Sequence, residues 1–254
     1  MDEKRIIACL DIKDGAVVKG VNFVNLKEVG DPLELGAWYE ASGADELAML
    51  DITATVEGRA TFASLLEAMR AHVGMPITVG GGIKCVDDAA RLFDCGASKV
   101  SVGSQAILTP ALLSDLSHAF GSERIICAID VKRTPDLRWR VVSRGGRSET
   151  RLDCIAWARE VASRGAGEIL LTSMDCDGEK GGFDIALYQA VGEAVEIPIT
   201  ASGGAGKMEH FAEVFKETAV SAALGASIFH FREVEIATLK IFLSQCGIPM
   251  RNRT

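Results

Sequence analysis

Nowhere does this chain of 254 residues run through about 18 consecutive apolar positions, so no segment qualifies as a membrane-spanning helix. The opening stretch reaches Asp11 and Lys13 after too short an apolar run for the core of a secretory signal. Basic residues do not dominate: 27 Lys and Arg stand against 35 Asp and Glu, a formal charge of -8. That balance argues against nucleic acid as a partner, because phosphate backbones need a basic footprint. It leaves room for a small phosphorylated ligand, which backbone N–H groups and one or two lysines can hold. The seven cysteines show no CxxC or CxxH spacing. An odd number without such spacing reads as reduced thiols, with neither a disulfide framework nor a zinc site. The expectation is a cytoplasmic protein away from the membrane. Proline is scarce, 6 against 26 glycines, which points to tight turns between regular elements.

What is present is alternation. Ile6–Leu10 reads as a first strand, and Asp31-Pro32 opens a helix with Asp as N-cap and Pro at the first helical position. Leu33, Leu35, Trp38 and Tyr39 fit one apolar stripe of that helix, and Phe62, Leu65, Leu66 and Met69 fit another. Further strands are expected at Leu47–Leu50, Ile77–Val79, Val100–Val102, Ile125–Ile129, Ile169–Leu171, Ile197–Thr200 and Ala222–Leu224. Helices fit around Ala89–Phe93, Ala111–Phe120, Ile155–Ser163, Leu187–Ala194, Phe211–Phe215 and Leu239–Leu243. Eight strand–helix units of this length predict a single α/β domain over 1–254, a (β/α)8 TIM barrel, with an open doubly wound sheet as the alternative.

The two halves repeat, about 1–120 and 121–254. Arg5–Lys13 aligns with Arg124–Lys132 at an offset of 119, while Gly43–Glu46 with Gly165–Glu168, Gly81-Gly82 with Gly203-Gly204, and Gly103-Ser104 with Gly225-Ala226 share an offset of 122. Two fused half-barrels close into eight strands with no edge, whereas an open sheet gives no reason for equal halves. In such a barrel the chemistry sits at the C-terminal strand ends. Asp11 ends strand one and Asp130 ends strand five, across the barrel. A strand-end carboxylate can merely cap a loop, but two at equivalent positions suit an acid and a base on opposite sides of one substrate. Gly80-Gly81-Gly82 and Val102-Gly103-Ser104, with their mates Ser202-Gly203-Gly204 and Leu224–Ser227, each lead into a helix. Alone they are plain turns; as two matched pairs they predict two phosphate cradles and a substrate phosphorylated at both ends.

These residues resemble the cyclase subunit family of imidazole glycerol phosphate synthase, over essentially the whole chain. The resemblance is carried by Arg5–Gly15 with Val17–Gly20, Gly30-Asp31-Pro32, Leu50–Ala54, Thr78–Ile83, Ala201–Lys207 and Phe229-His230-Phe231. It implies a phosphoribulosyl-formimino aminoimidazole carboxamide ribotide substrate to which ammonia adds, the adduct splitting and cyclising to imidazole glycerol phosphate and an aminoimidazole carboxamide ribotide. It implies no cofactor and no metal. By position it makes Asp11 and Asp130 the catalytic pair and puts Lys19 on a flexible loop within reach of substrate. Gly82, Gly103 and Ser104 become one phosphate cradle; Asp177, Gly178, Gly204, Ala226 and Ser227 become the other region.

Arg5, Glu46, Lys99 and Glu168 stand near the starts of strands one, two, four and six. Read alone they are a solvated rim or a closed ring of two cations and two anions. The resemblance implies a gate for ammonia, supplied by a glutaminase subunit docked on that face as a heterodimer. The related isomerase of the same pathway is the nearest alternative, and a non-catalytic scaffold for a glutaminase is a third reading. Departures from the family are Ser98 in place of an acidic residue, Thr150-Arg151 in place of a Thr-Gly turn, Cys176 and Glu179 in the loop 175–184, and Gly103 where some members carry Asn. His72, His118 and His210 read as helix-surface residues, His230 as structural, and Trp38 and Trp157 as helix packing.

Overall fold

The computed structural model describes residues 3–13, 15–21, 24–52 and 63–252; Asp14, Thr53, Ala54 and Phe62 of the stretches named above lie outside the described residues. The chain opens with β1 (Arg5–Lys13), then a hairpin of β2 (Ala16–Val21) and β3 (Val24–Gly30), then helix α1 (Pro32–Ala41). There follow β4 (Glu46–Asp51), α2 (Ala63–His72), β5 (Ile77–Gly80), α3 (Val86–Asp94), β6 (Lys99–Val102), α4 (Ser104–Leu108) and α5 (Ala111–Phe120). The second half runs through β7 (Ile125–Arg133), a hairpin of β8 (Trp139–Ser143) and β9 (Ser148–Asp153), and α6 (Cys154–Ser163). It ends with β10 (Glu168–Ser173), α7 (Ile185–Gly192), β11 (Ile199–Ser202), α8 (Met208–Glu217), β12 (Ala222–Gly225), α9 (Ser227–His230) and α10 (Ile236–Gln245).

Eight parallel strands close a ring in the order β1-β4-β5-β6-β7-β10-β11-β12, and β12 pairs back onto β1 from Arg5↔Ala222 to Ala8↔Gly225. This is the (β/α)8 TIM barrel. β1 and β7 stand four steps apart in either direction, so they face each other. Each is extended by an antiparallel hairpin, β2–β3 and β8–β9. Equivalent hydrogen bonds recur in the halves: Leu47 N–H donates to Pro76 O and Ile169 N–H to Pro198 O, both at 2.9 Å. Asp45 to Ile6 and Gly167 to Ile125 form a second such pair, again at 2.9 Å.

The strand period of two separates two cores. On β1, Ile6, Ala8, Leu10 and Ile12 face the helices in the main core. Ile7 and Cys9 turn inward and join Ala48, Ile126, Leu170, Ala222 and Leu224 in a small apolar plug inside the barrel. Arg5 and Asp11 share that inward face, so one strand strings a charge at the barrel floor to a carboxylate at its mouth, about 20 Å apart.

Local chemistry explains most boundaries. The Asp31 carboxylate caps α1, accepting from Leu33 N at 2.8 Å and Glu34 N at 3.0 Å. The buried side of that helix centres on Pro32, Gly36 and Tyr39, with Leu33, Leu35 and Trp38 only partly covered. Gly36 sits there because Met69 of α2 occupies the space a side chain would need. The seventh barrel strand begins at Ile199, not Ile197 as its apolar run suggests. Pro198 has no N–H for the ladder, and only its carbonyl is used, as an acceptor for Ile169. Ala194 lies past the end of α7. Thr150 and Arg151 lie within β9, where the Thr150 hydroxyl donates to Val141 O at 2.6 Å.

Candidate active site

At the C-terminal mouth a cavity of about 360 Å³ opens between the strand ends. Asp11 and Asp130 both line it, together with Asp177, Gly82, Gly103 and Ser104. Asp11 is buried on β1, with Cys9 Sγ 3.8 Å from its Oδ1. Asp130 stands on β7, paired in register with Val142 of the hairpin and with Thr172 of β10. Burial pushes the Asp130 carboxyl up, the negative charges of Asp177 and Asp11 push it the same way, and a hydrogen bond from Thr172 only partly opposes them; it reaches about 6. Around neutrality it is therefore an ionised carboxylate whose proton affinity is raised into the useful range for taking a proton.

Gly178, Gly204, Ala226 and Ser227 are not among the residues that wall this cavity. Gly178 and Gly204 stand where the loop after β10 lies on the loop after β11, while Ala226 and Ser227 open α9 after β12. Gly182 N–H donates to Gly204 O at 2.8 Å, and Gly204 has φ +106° with the Gly182 carbonyl oxygen 2.0 Å from where a Cβ would stand. Gly204→Ala therefore has to push the two loops apart in a backbone conformation that alanine avoids. It is expected to cost about 2 kcal/mol and lower Tm by roughly 4–8 °C. An unchanged thermal midpoint would mean that the two loops part freely. Lys19 lies within strand β2, in register with Lys27, and not on a loop. The chain after β1 turns straight into a hairpin.

At the floor of the barrel the four charges close a ring. Arg5 Nη1 reaches Glu46 Oε1 at 2.7 Å and Arg5 Nη2 reaches Glu168 Oε1 at 2.8 Å. Lys99 Nζ lies 2.8 Å from Glu168 Oε2 and 3.4 Å from Glu46 Oε2. The Thr200 hydroxyl donates a further bond to Glu168 at 2.5 Å. Burial opposes ionisation of both partners, yet Glu168 and Glu46 hold the Arg5 guanidinium above its ordinary range. Arg5 and Lys99 likewise keep the Glu168 carboxyl below its own. The solvated-rim reading does not hold, since Arg5, Glu46 and Glu168 are buried.

Sequence reading passes over other residues of the mouth. Asp51 and Lys84 line the cavity, and so do Arg144 and Arg147 from the turn between β8 and β9. Their only signal is the Gly145-Gly146 pair, which marks a turn but not what the turn covers. His210 is buried, not on the surface: its Nδ1 accepts from Gly206 N–H at 3.2 Å, and burial and Lys207 lower its proton affinity. His72 and His118 are exposed, while His230 is buried and bonds Tyr39 through its Nδ1. Among the described residues no group of three or more His, Cys, Asp or Glu is placed to hold a metal, and no helix is long and apolar enough to cross a membrane.

A family model described as histidine biosynthesis protein matches residues 5–235. The chain is 54% identical over 248 residues to the imidazole glycerol phosphate synthase subunit HisF of Cytophaga hutchinsonii, covering 98% of each chain. It is 50% identical over 252 residues to the subunit of the same name from Geobacillus thermodenitrificans, covering 99% of this chain and 100% of the other. The Streptococcus mutans subunit matches at 50% over 251 residues, covering 99% of this chain and 100% of its own.

Proposed function

The chain belongs to the histidine biosynthesis protein family, and from that we infer that it works as the cyclase subunit of imidazole glycerol phosphate synthase. Ammonia adds to the phosphoribulosyl-formimino aminoimidazole carboxamide ribotide, and the adduct splits and cyclises to imidazole glycerol phosphate and the aminoimidazole carboxamide ribotide. The observation that carries the reading is one cavity walled by carboxylates from opposite strands, Asp11 and Asp130, beside the Gly82, Gly103 and Ser104 turn ends. Asp130, ionised at neutral pH with a raised proton affinity, takes the proton, and Asp11 on the opposite wall is the other member of the acid/base pair. Backbone N–H groups at Gly82, Gly103 and Ser104 cradle one phosphate, and Asp177, Gly178, Gly204, Ala226 and Ser227 form the region around the other, with Lys19 serving the substrate from the first hairpin.

The relatives are named as subunits, which implies an assembly. We place a glutaminase on the barrel floor, where the ring of Arg5, Glu46, Lys99 and Glu168 gates entry. The apolar plug of Ile7, Cys9, Ala48 and Leu170 suits passage of NH3, which is far less costly to desolvate than ammonium. All seven cysteines are free thiols, in keeping with a reducing cytoplasm.

The test is turnover of the ribulosyl substrate by the purified chain with an ammonium salt, the rate normalised to free ammonia at each pH. Activity is expected across neutral and mildly alkaline pH, falling below about pH 6 as Asp130 takes up a proton. Turnover undiminished at pH 5 would remove Asp130 as the base. No turnover at all, with isomerisation of the preceding intermediate, would move the assignment to the pathway's isomerase.

A further inference from the structure

The cavity is divided by charge. Asp11, Asp51, Asp130 and Asp177 supply its carboxylates, while Lys84, Arg144 and Arg147 supply its cations. Among the described residues, none of these three cations is ion-paired. A dianionic phosphate entering a pocket with four carboxylates is repelled unless full positive charges offset them, and glycine N–H dipoles supply only partial ones.

The turn that carries the two arginines is held in place over the Gly103-Ser104 end of the cavity. Arg144 N–H donates to Ser104 Oγ at 2.9 Å, and the hairpin starts from the Asp130↔Val142 pair. Arg144, Gly145 and Gly146 are all left-handed, at φ +54°, +61° and +78°, which folds the turn tightly there. The first half gives an independent parallel. Val17 pairs with Ile12, and Lys19 stands two residues further on; Val141 pairs with Val131, the repeat mate of Ile12, and two residues on comes Ser143, followed by Arg144. In each half a hairpin thus pairs with the end of the first strand at the same position.

We propose that Arg144 and Arg147 are phosphate-binding residues: the β8–β9 hairpin supplies the full positive charge for the phosphate monoester seated at Gly82, Gly103 and Ser104. The inference rests on the cyclase reading for the identity of the substrate, but not for the anion it binds. The experiment uses the full chain and the double variant Arg144→Gln/Arg147→Gln, with Arg140→Gln as control, an exposed arginine of the same hairpin that does not line the cavity. KM for the ribulosyl substrate with saturating ammonium, kcat, and the affinity for inorganic phosphate by 31P NMR titration are measured on all three. KM is expected to rise roughly tenfold to thirtyfold in the double variant with kcat within about threefold, and phosphate affinity to fall by a similar factor. Arg140→Gln changes neither. Unchanged KM and phosphate affinity in the double variant, or an equal loss in Arg140→Gln, overturns the clamp. Failure of the wild type to turn over the substrate sinks the cyclase reading instead, and the phosphate titration still decides the clamp.

Discussion

Asp130→Asn is expected to cut ammonia-dependent cyclisation by about 10²- to 10⁴-fold while raising Tm at pH 8 by about 2–4 °C. The loss follows from the amide's inability to take a proton; Asp11→Asn should fall comparably, because the opposite wall then has no carboxyl group to complete the pair. The gain follows from what keeps Asp130 at about 6: its ionised form is disfavoured in the fold by burial, by Asp177 and by Asp11. A carboxyl whose proton affinity is higher folded than unfolded lends full stability below its ordinary value and loses it as pH rises through 6. Asparagine keeps the shape without the charge, so its advantage is complete above pH 6 and fades to nothing near pH 4. Partial contact with water at the cavity rim limits the gain to about 1 kcal/mol. Paired activity and melting measurements at pH 4, 6 and 8 check both. Turnover within tenfold of wild type would exclude Asp130 from proton transfer, and a variant less stable than wild type at pH 8 would mean its hydrogen bond from Thr172 outweighs the repulsion.

The second large effect lies at the floor. Glu168→Ala leaves Arg5 and Lys99 facing Glu46 alone, so the buried ring carries an uncompensated positive charge. Breaking a buried pair from one side costs about 3–5 kcal/mol, which for a chain of this size is roughly 6–20 °C in Tm. Lys99→Met should cost less than half as much, because the Lys99 side chain is 20% exposed and water replaces part of what Glu168 gains from it. Thermal or urea unfolding distinguishes them, and equal losses would mean that the ring acts only as packing. Whole buried networks can often be replaced by apolar residues at no net cost, so stability alone gives no reason for this ring.

Much of this architecture is legible in the residues themselves. Ile6–Leu10 and Ile125–Ile129 announce their strands because a parallel barrel strand is buried on both faces, and the 119–122 offset announces closure. Asp11 and Asp130 follow, because a carboxylate at the end of such a strand has one direction to face. The rest depends on contacts between distant segments. Arg144 and Arg147 are exposed residues on a hairpin, the same pattern as a solvated turn, and only the bond to Ser104, 40 residues away, places them at the cavity. His210 looks like the outer face of α8 until the loop of Gly182 and Gly206 covers it. Gly204 and Ala226 read as counterparts of Gly82 and Ser104, yet neither walls the cavity that their mates line.

The ring of four charges also makes the assembly of the barrel self-checking. β1, β4 and β6 bring Arg5, Glu46 and Lys99, two cations and one anion, and the missing anion arrives only with β10. Of the four ring members the first half thus supplies two cations and one anion and the second half the other anion, with the partly exposed Arg251 also 3.6 Å from Glu46. Two copies of the first half would leave the buried ring members with an excess of positive charge, whereas the two different halves balance those four. The four buried ring charges thus come out even only once β10 has joined β1, β4 and β6.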